Sequence, residues 1–311
     1  MKLARVRVVE DGAEHLVVAH DDGLRPVRGV RGVRSLIGDG CESLAGAVSE
    51  RGLDEPLGEQ AEIEFLSPLE STGAFRDFYA FEQHVKAGRA WRGLEMDPDW
   101  YRLPVFYFSN PYAIQGPGDV HMTPGSEQFD FELEVGAILG GGGRDLTSSE
   151  AAPLIVGYTV LNDWSGRDVQ KREMGLSMGP VKGKDTATSI GPWVVTPDEL
   201  ADRATATGFD LRMTCTVNGR RYSDASWSDV YWSFPEMVAY ASRGADVRPG
   251  DLFGSGTCGT GCINELSRTH SAEEFPFLRP GDVVEAEIER LGALRNVIVE
   301  GSPVLPVRAG L

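Results

Sequence analysis

Apolar runs in this chain are short, and turn residues stop almost every one of them. The segments "LIVGYTVLND", "IGPWVVT", "LRMTCTV" and "DVVEAEIE" are rich in β-branched and aromatic residues, the composition of strands. Asp11-Gly12, Asp22-Gly23 and Asn218-Gly219 read as tight turns, and a Pro-Gly-Asp turn precedes both "LFGSGT" and "VVEAEIE". Helices are expected over "CESLAGAVSERG", closing at Gly52, and over "SFPEMVAYASRG", opened by Ser233 with Pro235 near its start. No helical pattern is long enough for a doubly wound sheet, and no GxGxxG or phosphate loop stands in the right context. The expected class is mixed α/β, β-dominated. Residues 1–66 read as a small N-terminal β-rich domain, with "FLSPLE" as the linker into a larger domain over 67–311.

Length and charge narrow the functional classes. The 311 residues can bury a large core. No run of 18 apolar residues occurs, so no membrane helix is expected. The net charge of −17 argues against nucleic acid or an anionic membrane as the main partner. An anionic substrate would need local positive charge from Lys, Arg or a metal ion. Four cysteines without zinc-knuckle spacing read as reduced thiols of a cytoplasmic protein.

The stretch "QFDFELEVGAIL" carries Asp130, Glu132 and Glu134 at every second position. On a strand these three share a face, while Phe129, Phe131, Leu133 and Val135 fill the other. Two readings fit: a solvated acidic face, or a divalent-cation site, since hard cations take carboxylate oxygens.

Four further groups hold chemistry-bearing residue types, and each has a plain structural reading beside a functional one. "VLNDWSGRDVQ" ends an apolar strand at Asp163 and continues with Arg167 and Gln170, which share a face if a helix starts there. Asp163 is a third metal ligand or a helix cap. "DFYAFEQHVKAGRAWR" gathers Asp77, Tyr79 and His84, a metal-ligand type, a hydrogen-bond donor and the side-chain type suited to acid–base work. "GPVKGKDTATSIGPW" presents Lys184 and Thr188 in a Gly-rich segment, suited to an anionic intermediate or to a solvated loop. "FGSGTCGTGCINE" has small residues that allow close backbone approach, with Thr257 in the run and Glu265 after it.

In this order, "DFYAFEQH", "FELE", "LNDWSGRDVQ", "GPVKGKDTATSIGPWVV" and "GSGT" followed by Glu265 resemble the fumarylacetoacetate hydrolase family, over roughly residues 65–299. The resemblance implies a mixed β-roll main domain, a small N-terminal domain and a homodimer. It implies one Mg²⁺, with Mn²⁺ or Ca²⁺ also suited, held by Asp77, Glu132, Glu134 and Asp163. His84 would activate a water and Glu265 would orient it. Lys184 would stabilise the developing anion. Tyr79, Arg92, Tyr107, Gln170 and Thr257 would hold the substrate, with Arg167 as a buttress on that side and Thr188 lining the metal site. Asp130 has no counterpart in the ligand set and is expected beside it.

The implied activity is hydrolysis of a C–C bond in a diketo acid, fumarylacetoacetate-like or acylpyruvate-like. Such a substrate chelates a divalent cation, which polarises a carbonyl and stabilises the enolate that leaves. The alternative is isomerisation, tautomerisation or decarboxylation of a 2-oxo acid on the same scaffold. Met174 stands where fumarylacetoacetate-cleaving members show a tyrosine, and His84 and Arg92 are one residue closer than in those members.

Overall fold

The computed structural model describes residues 1–58 and 60–308. Two sheets organise them, and short helices fill the connections. The larger sheet has twelve strands and the smaller has five; a two-stranded ladder joins Phe129–Asp130 to Ser165–Gly166. The β-dominated mixed class read from the sequence is the class observed.

At the centre of the larger sheet, Leu133–Leu139 pairs antiparallel with Ile155–Asp163 on one side and with Leu252–Gly254 on the other. Leu252–Gly254 pairs in parallel with Phe75–Phe78, and Phe75–Phe78 pairs antiparallel with Phe106–Ser109. All residues of Leu133–Leu139 and Ile155–Asp163 are buried, which explains their near-continuous apolar sequence.

Strand direction brings distant residues to one end of this sheet. Asp163 ends its strand, Asp77 comes next to last in Phe75–Phe78, and Gly254 ends Leu252–Gly254. Glu134 lies near the start of a strand that runs the other way from Ile155–Asp163. All four positions therefore meet at the same edge.

The smaller sheet runs Arg220–Ser226, Arg212–Val217, Val283–Ile288, Gly292–Val299 and Gly118–His121. Its first hairpin turns at Asn218 and Gly219, with φ of 52° and 77°, the pair of positive angles that a two-residue turn requires. The main apolar core includes Val135, Val160 and Phe253 from the larger sheet and Met213, Ala286 and Leu294 from the smaller. Ser233 caps Phe234–Ala241 in a reciprocal box with Glu236.

The N-terminal strands Lys2–Val8, Glu14–His20 and Gly23–Pro26 form a meander. Lys2–Ala4 then pairs with Trp193–Val195, so the meander continues the larger sheet. Two of the six residues read as a linker are strand: Phe65 and Leu66 close Ile63–Leu66, which pairs antiparallel with Arg5–Val8. It ends at residue 66, where the domain boundary was expected.

The solvated reading of the acidic strand does not hold, and the strand is not continuous. It is buried on both faces, and it breaks between Phe129–Asp130 and Leu133–Leu139. Asn162 fills the break, its side-chain oxygen accepting from the Glu132 backbone N–H at 2.9 Å. A side-chain amide so replaces a ladder bond and lets Asp130 and Glu134 face different partners.

Candidate active site

Asp77, Glu134 and Asp163 each offer a carboxylate oxygen, and the three oxygens lie within 4.8 Å of one another. All three residues are almost fully buried. Glu134 Oε2 accepts from the Gly256 backbone N–H at 2.9 Å, and Thr257 Oγ1 approaches Oε1 at 3.5 Å. The Tyr107 hydroxyl lies 2.5 Å from Asp163 Oδ2 and 3.2 Å from Asp77 Oδ2. Thr188 Oγ1 reaches Asp163 Oδ1 at 3.5 Å. Asp77 Oδ1 is buried without a hydrogen-bond partner among the described residues.

Crowding raises these carboxyls. Asp77 is pushed up to about 8, first by burial and then by Asp163. Glu134 is pushed well above its ordinary value by burial, then Asp77. Asp163 is also raised by burial, although Lys184 opposes this. A cluster of hard oxygen donors that resists ionisation and holds an unpartnered buried oxygen fits a divalent cation such as Mg²⁺, Mn²⁺ or Ca²⁺.

Glu132 lies beside this cluster and differs from it electrostatically. Its oxygens accept from Arg167 Nη2 at 2.7 Å and from Lys184 Nζ. Burial pushes Glu132 up, but Arg167 and Lys184 outweigh it and hold the group well below its ordinary value. Lys184 also donates to Asp163. The Gly-rich segment thus delivers a buried lysine, not a solvated loop: Lys184 is 5% exposed. Burial lowers its pKa, but Asp163 and Glu132 raise it further, so it stays protonated.

Next to Glu132 stands the His/Glu pair. His84 Nδ1 lies 2.6 Å from Glu265 Oε2. His84 is on the Glu82–Trp91 helix and Glu265 on Ile263–Thr269. The other Glu265 oxygen accepts from the Thr260 backbone N–H at 2.9 Å, so the carboxylate is fixed at both ends. An Nδ1–H directed at Glu265 leaves Nε2 as the free, basic nitrogen.

Asp130 is held by Arg167 Nε at 2.8 Å and by the backbone N–H groups of Ile263 and Asn264 at 2.7 and 2.9 Å. It ties Arg167 to the first turn of the helix that carries Glu265. That role was not legible in the sequence, since nothing in strand alternation says which helix end meets which carboxylate. Cys262 Sγ accepts from the Glu265 N–H at 3.4 Å. It lies within 4.8 Å of His84 and Glu132 ligand atoms, but burial and Asp130 push its thiol well up. A neutral thiol capping a helix is a structural group.

The residues expected on the substrate side fall into two sets. Tyr107, Thr257, Arg167 and Gln170 contact the carboxylate cluster or one another; Gln170 Oε1 accepts from Arg167 Nη1 at 3.3 Å. Tyr79 and Arg92 lie on the outer side of His84. The Tyr79 ring meets the His84 ring edge-on at 5.8 Å. Arg92 is exposed, with its Nε donating to Gly88 O at 3.1 Å. Two glycines escaped the sequence reading as site residues, Gly254 and Gly256, although "GSGT" carried the signal.

The fumarylacetoacetate hydrolase C-terminal family model matches residues 73–299. The chain belongs to the fumarylacetoacetate hydrolase family. A fumarylacetoacetase from Arabidopsis thaliana is 28% identical over 261 residues, covering 67% of this chain and 61% of that protein. A mitochondrial oxaloacetate tautomerase from Xenopus laevis is 31% identical over 208 residues, covering 66% of this chain and 61% of the relative. The chain therefore spans about three fifths of the length of these curated relatives. The structure of a fumarylacetoacetate hydrolase from Exiguobacterium antarcticum shares the fold, with a TM-score of 0.75, 24% identity, and coverage of 97% of this chain and 100% of that one. Relatives in this family are thus enzymes that differ in reaction.

Proposed function

We propose that this family member is a divalent-cation-dependent hydrolase that cleaves a C–C bond in a 1,3-diketo acid such as an acylpyruvate. The observation that carries the reading is the 2.6 Å contact between His84 and Glu265 beside the carboxylate cluster. Asp77, Glu134 and Asp163, with Glu132 adjoining, would hold the cation, which when bound polarises a carbonyl and favours enolate character.

The protein's own groups account for the proton movements. His84 Nε2 takes a proton from water as the oxygen adds to the acyl carbonyl carbon. Glu265 accepts the Nδ1–H bond and stabilises the imidazolium that forms. The C–C bond then breaks, and its electron pair passes to the departing enolate carbon. The proton on His84 returns to that fragment, leaving a carboxylic acid and a 2-oxo acid. Lys184 stays charged against Glu132 and Asp163 and offsets the negative charge that gathers.

Turnover of a small acylpyruvate series, followed by loss of enol absorbance with and without chelator, tests the reading. Chelator-sensitive cleavage is expected. No turnover of any member by protein shown to bind Mg²⁺ would sink it.

The tautomerase relative supports a second reading, keto–enol exchange or decarboxylation of a 2-oxo acid with His84 moving the proton. Product analysis separates the two. Hydrolysis consumes water and yields two fragments, whereas tautomerisation yields an isomer and decarboxylation releases CO₂.

A further inference from the structure

The two helices that carry His84 and Glu265 meet a second time. Arg268 follows Glu265 on Ile263–Thr269, three positions on and so on the same face. Trp91 lies two turns beyond His84 on Glu82–Trp91. Arg268 Cζ sits 3.5 Å from the centroid of the Trp91 ring. The His84–Glu265 contact and this cation–π stack are two rungs between the same helices.

The outer rung is rich in uncommitted donors. Nearby ion pairs use Arg89 and Arg102, while Arg92 and Arg268 have no ion-pair partner among the described residues. The Tyr79 hydroxyl lies where a Cβ on Gly88 would be 3.5 Å away, next to the carbonyl that accepts from Arg92. Arg268 is held below its ordinary value, first by partial burial and then by Arg167, with Arg92 adding to the repulsion. In a chain of net charge −17, arginines left to repel one another suit an anion brought from outside.

The other side of the site differs. A cleft of about 220 Å³ is lined by Tyr107, Phe108, Ser109, Pro180, Val181 and Lys184, with Asn110 and Asp185. Its lysine is already bonded to Glu132 and Asp163.

We propose that Arg268, seated over the Trp91 ring beside Arg92, is a specificity-determining residue that receives a second, distal carboxylate of the substrate on the His84 side. A guanidinium stacked on an indole keeps its edge N–H groups free for bidentate contact with a carboxylate. The cleft on the other side, whose lysine is already paired, then takes the uncharged part of the substrate. For turnover the proposal rests on the hydrolase reading, and for binding it does not.

The test uses the full-length protein with Mg²⁺. Affinities for 2-oxoglutarate and 2-oxoadipate are compared with those for pyruvate and 2-oxobutyrate, which lack the distal carboxylate. Arg268→Gln is expected to weaken the better dicarboxylate about tenfold or more, as loss of a charged hydrogen bond does, and to leave the monocarboxylates unchanged. Arg268→Lys, which keeps charge without the planar stack, falls between. Trp91→Leu removes the platform and shifts the same preference if Arg268→Gln does not fold. Wild-type protein with no preference for either dicarboxylate, or equal losses on both classes, overturns the proposal. Dicarboxylate preference without any C–C cleavage would leave the subsite standing and remove the hydrolase reading; cleavage without the preference does the reverse.

Discussion

A Cβ on Gly254 would lie 2.5 Å from Asp77 Oδ1. It would also come within 3.0 Å of Glu134 Oε2. Gly254 and Asp77 are paired across parallel strands, so the backbone cannot give way without breaking the sheet. The missing side chain at 254 is the space in which the carboxylates gather.

Gly254→Ala is therefore expected to displace Asp77 or Glu134 and to weaken Mg²⁺ or Mn²⁺ binding by about tenfold or more, the loss of roughly one charge-assisted contact. Calorimetric titration of the cation measures this. An affinity within twofold of wild type would show that the cation does not use these oxygens.

His84→Ala separates acid–base chemistry from metal binding. His84 contacts Glu265 and lies outside the Asp77, Glu134 and Asp163 group. Hydrolysis is expected to fall by about 10²–10⁴-fold, the usual share of a positioned acid or base, with cation affinity nearly unchanged. Release of the cation by this variant would make His84 a ligand. Glu265→Gln keeps its oxygen on the Thr260 N–H and turns its NH2 toward His84 Nδ1, which puts the ring proton on Nε2 and removes the base, so its kcat is expected to fall about as far as that of His84→Ala.

Strand existence was legible because β-branched runs bounded by Asn-Gly, Asp-Gly and Pro-Gly mark it locally. Ile155–Asp163 and the Asn218-Gly219 hairpin fall where those marks stand. The order of strands was not legible, because pairing of Leu252–Gly254 with both Leu133–Leu139 and Phe75–Phe78 is a long-range choice. The five separated motifs named residues that meet, but alternation alone left the row of Asp130, Glu132 and Glu134 open between a solvated face and a cation site, and did not show that its members part. The break at Glu132, held by Asn162, turns them to three sets of partners. Ile63–Leu66 went unread because Pro68 and its neighbours resemble a linker, while its pairing partner lies near the N-terminus.

The raised carboxyls set a pH dependence. Asp77 moves from 3.8 to about 8 in the fold. Between those values the folded protein holds a proton that the unfolded chain has lost, so stability falls as pH rises through the window. One proton corresponds to about 1.4 kcal/mol per pH unit. Glu134 acts in the same direction. Glu132, which is lowered, adds a loss only at the acid end. A bound cation takes the place of the proton. The Tm of cation-free protein is expected to drop between about pH 5 and about pH 8, and the gain from Mg²⁺ to grow over the same range. A gain that shrinks toward high pH contradicts this order.

Lys184 gives the complementary test, because it is the positive charge inside the cluster. Its Nζ serves Glu132 and Asp163 together, and all three side chains are buried. Lys184→Met keeps most of the volume and removes the charge. Glu132 then retains Arg167, but Asp163 loses its cation and, among the described residues, keeps the Tyr107 and Thr188 hydroxyls. Breaking one side of a buried ion pair costs about 3–5 kcal/mol, so a marked fall in Tm is expected without divalent cation. Added Mg²⁺ supplies positive charge at the same oxygens and is expected to recover part of the loss. It does not recover kcat, because the ammonium that faces the developing anion is gone. A variant as stable as wild type without cation would mean that Asp163 is protonated and Lys184 answers to Glu132 alone; the cation would then have to displace a proton from Asp163 as well as from Asp77.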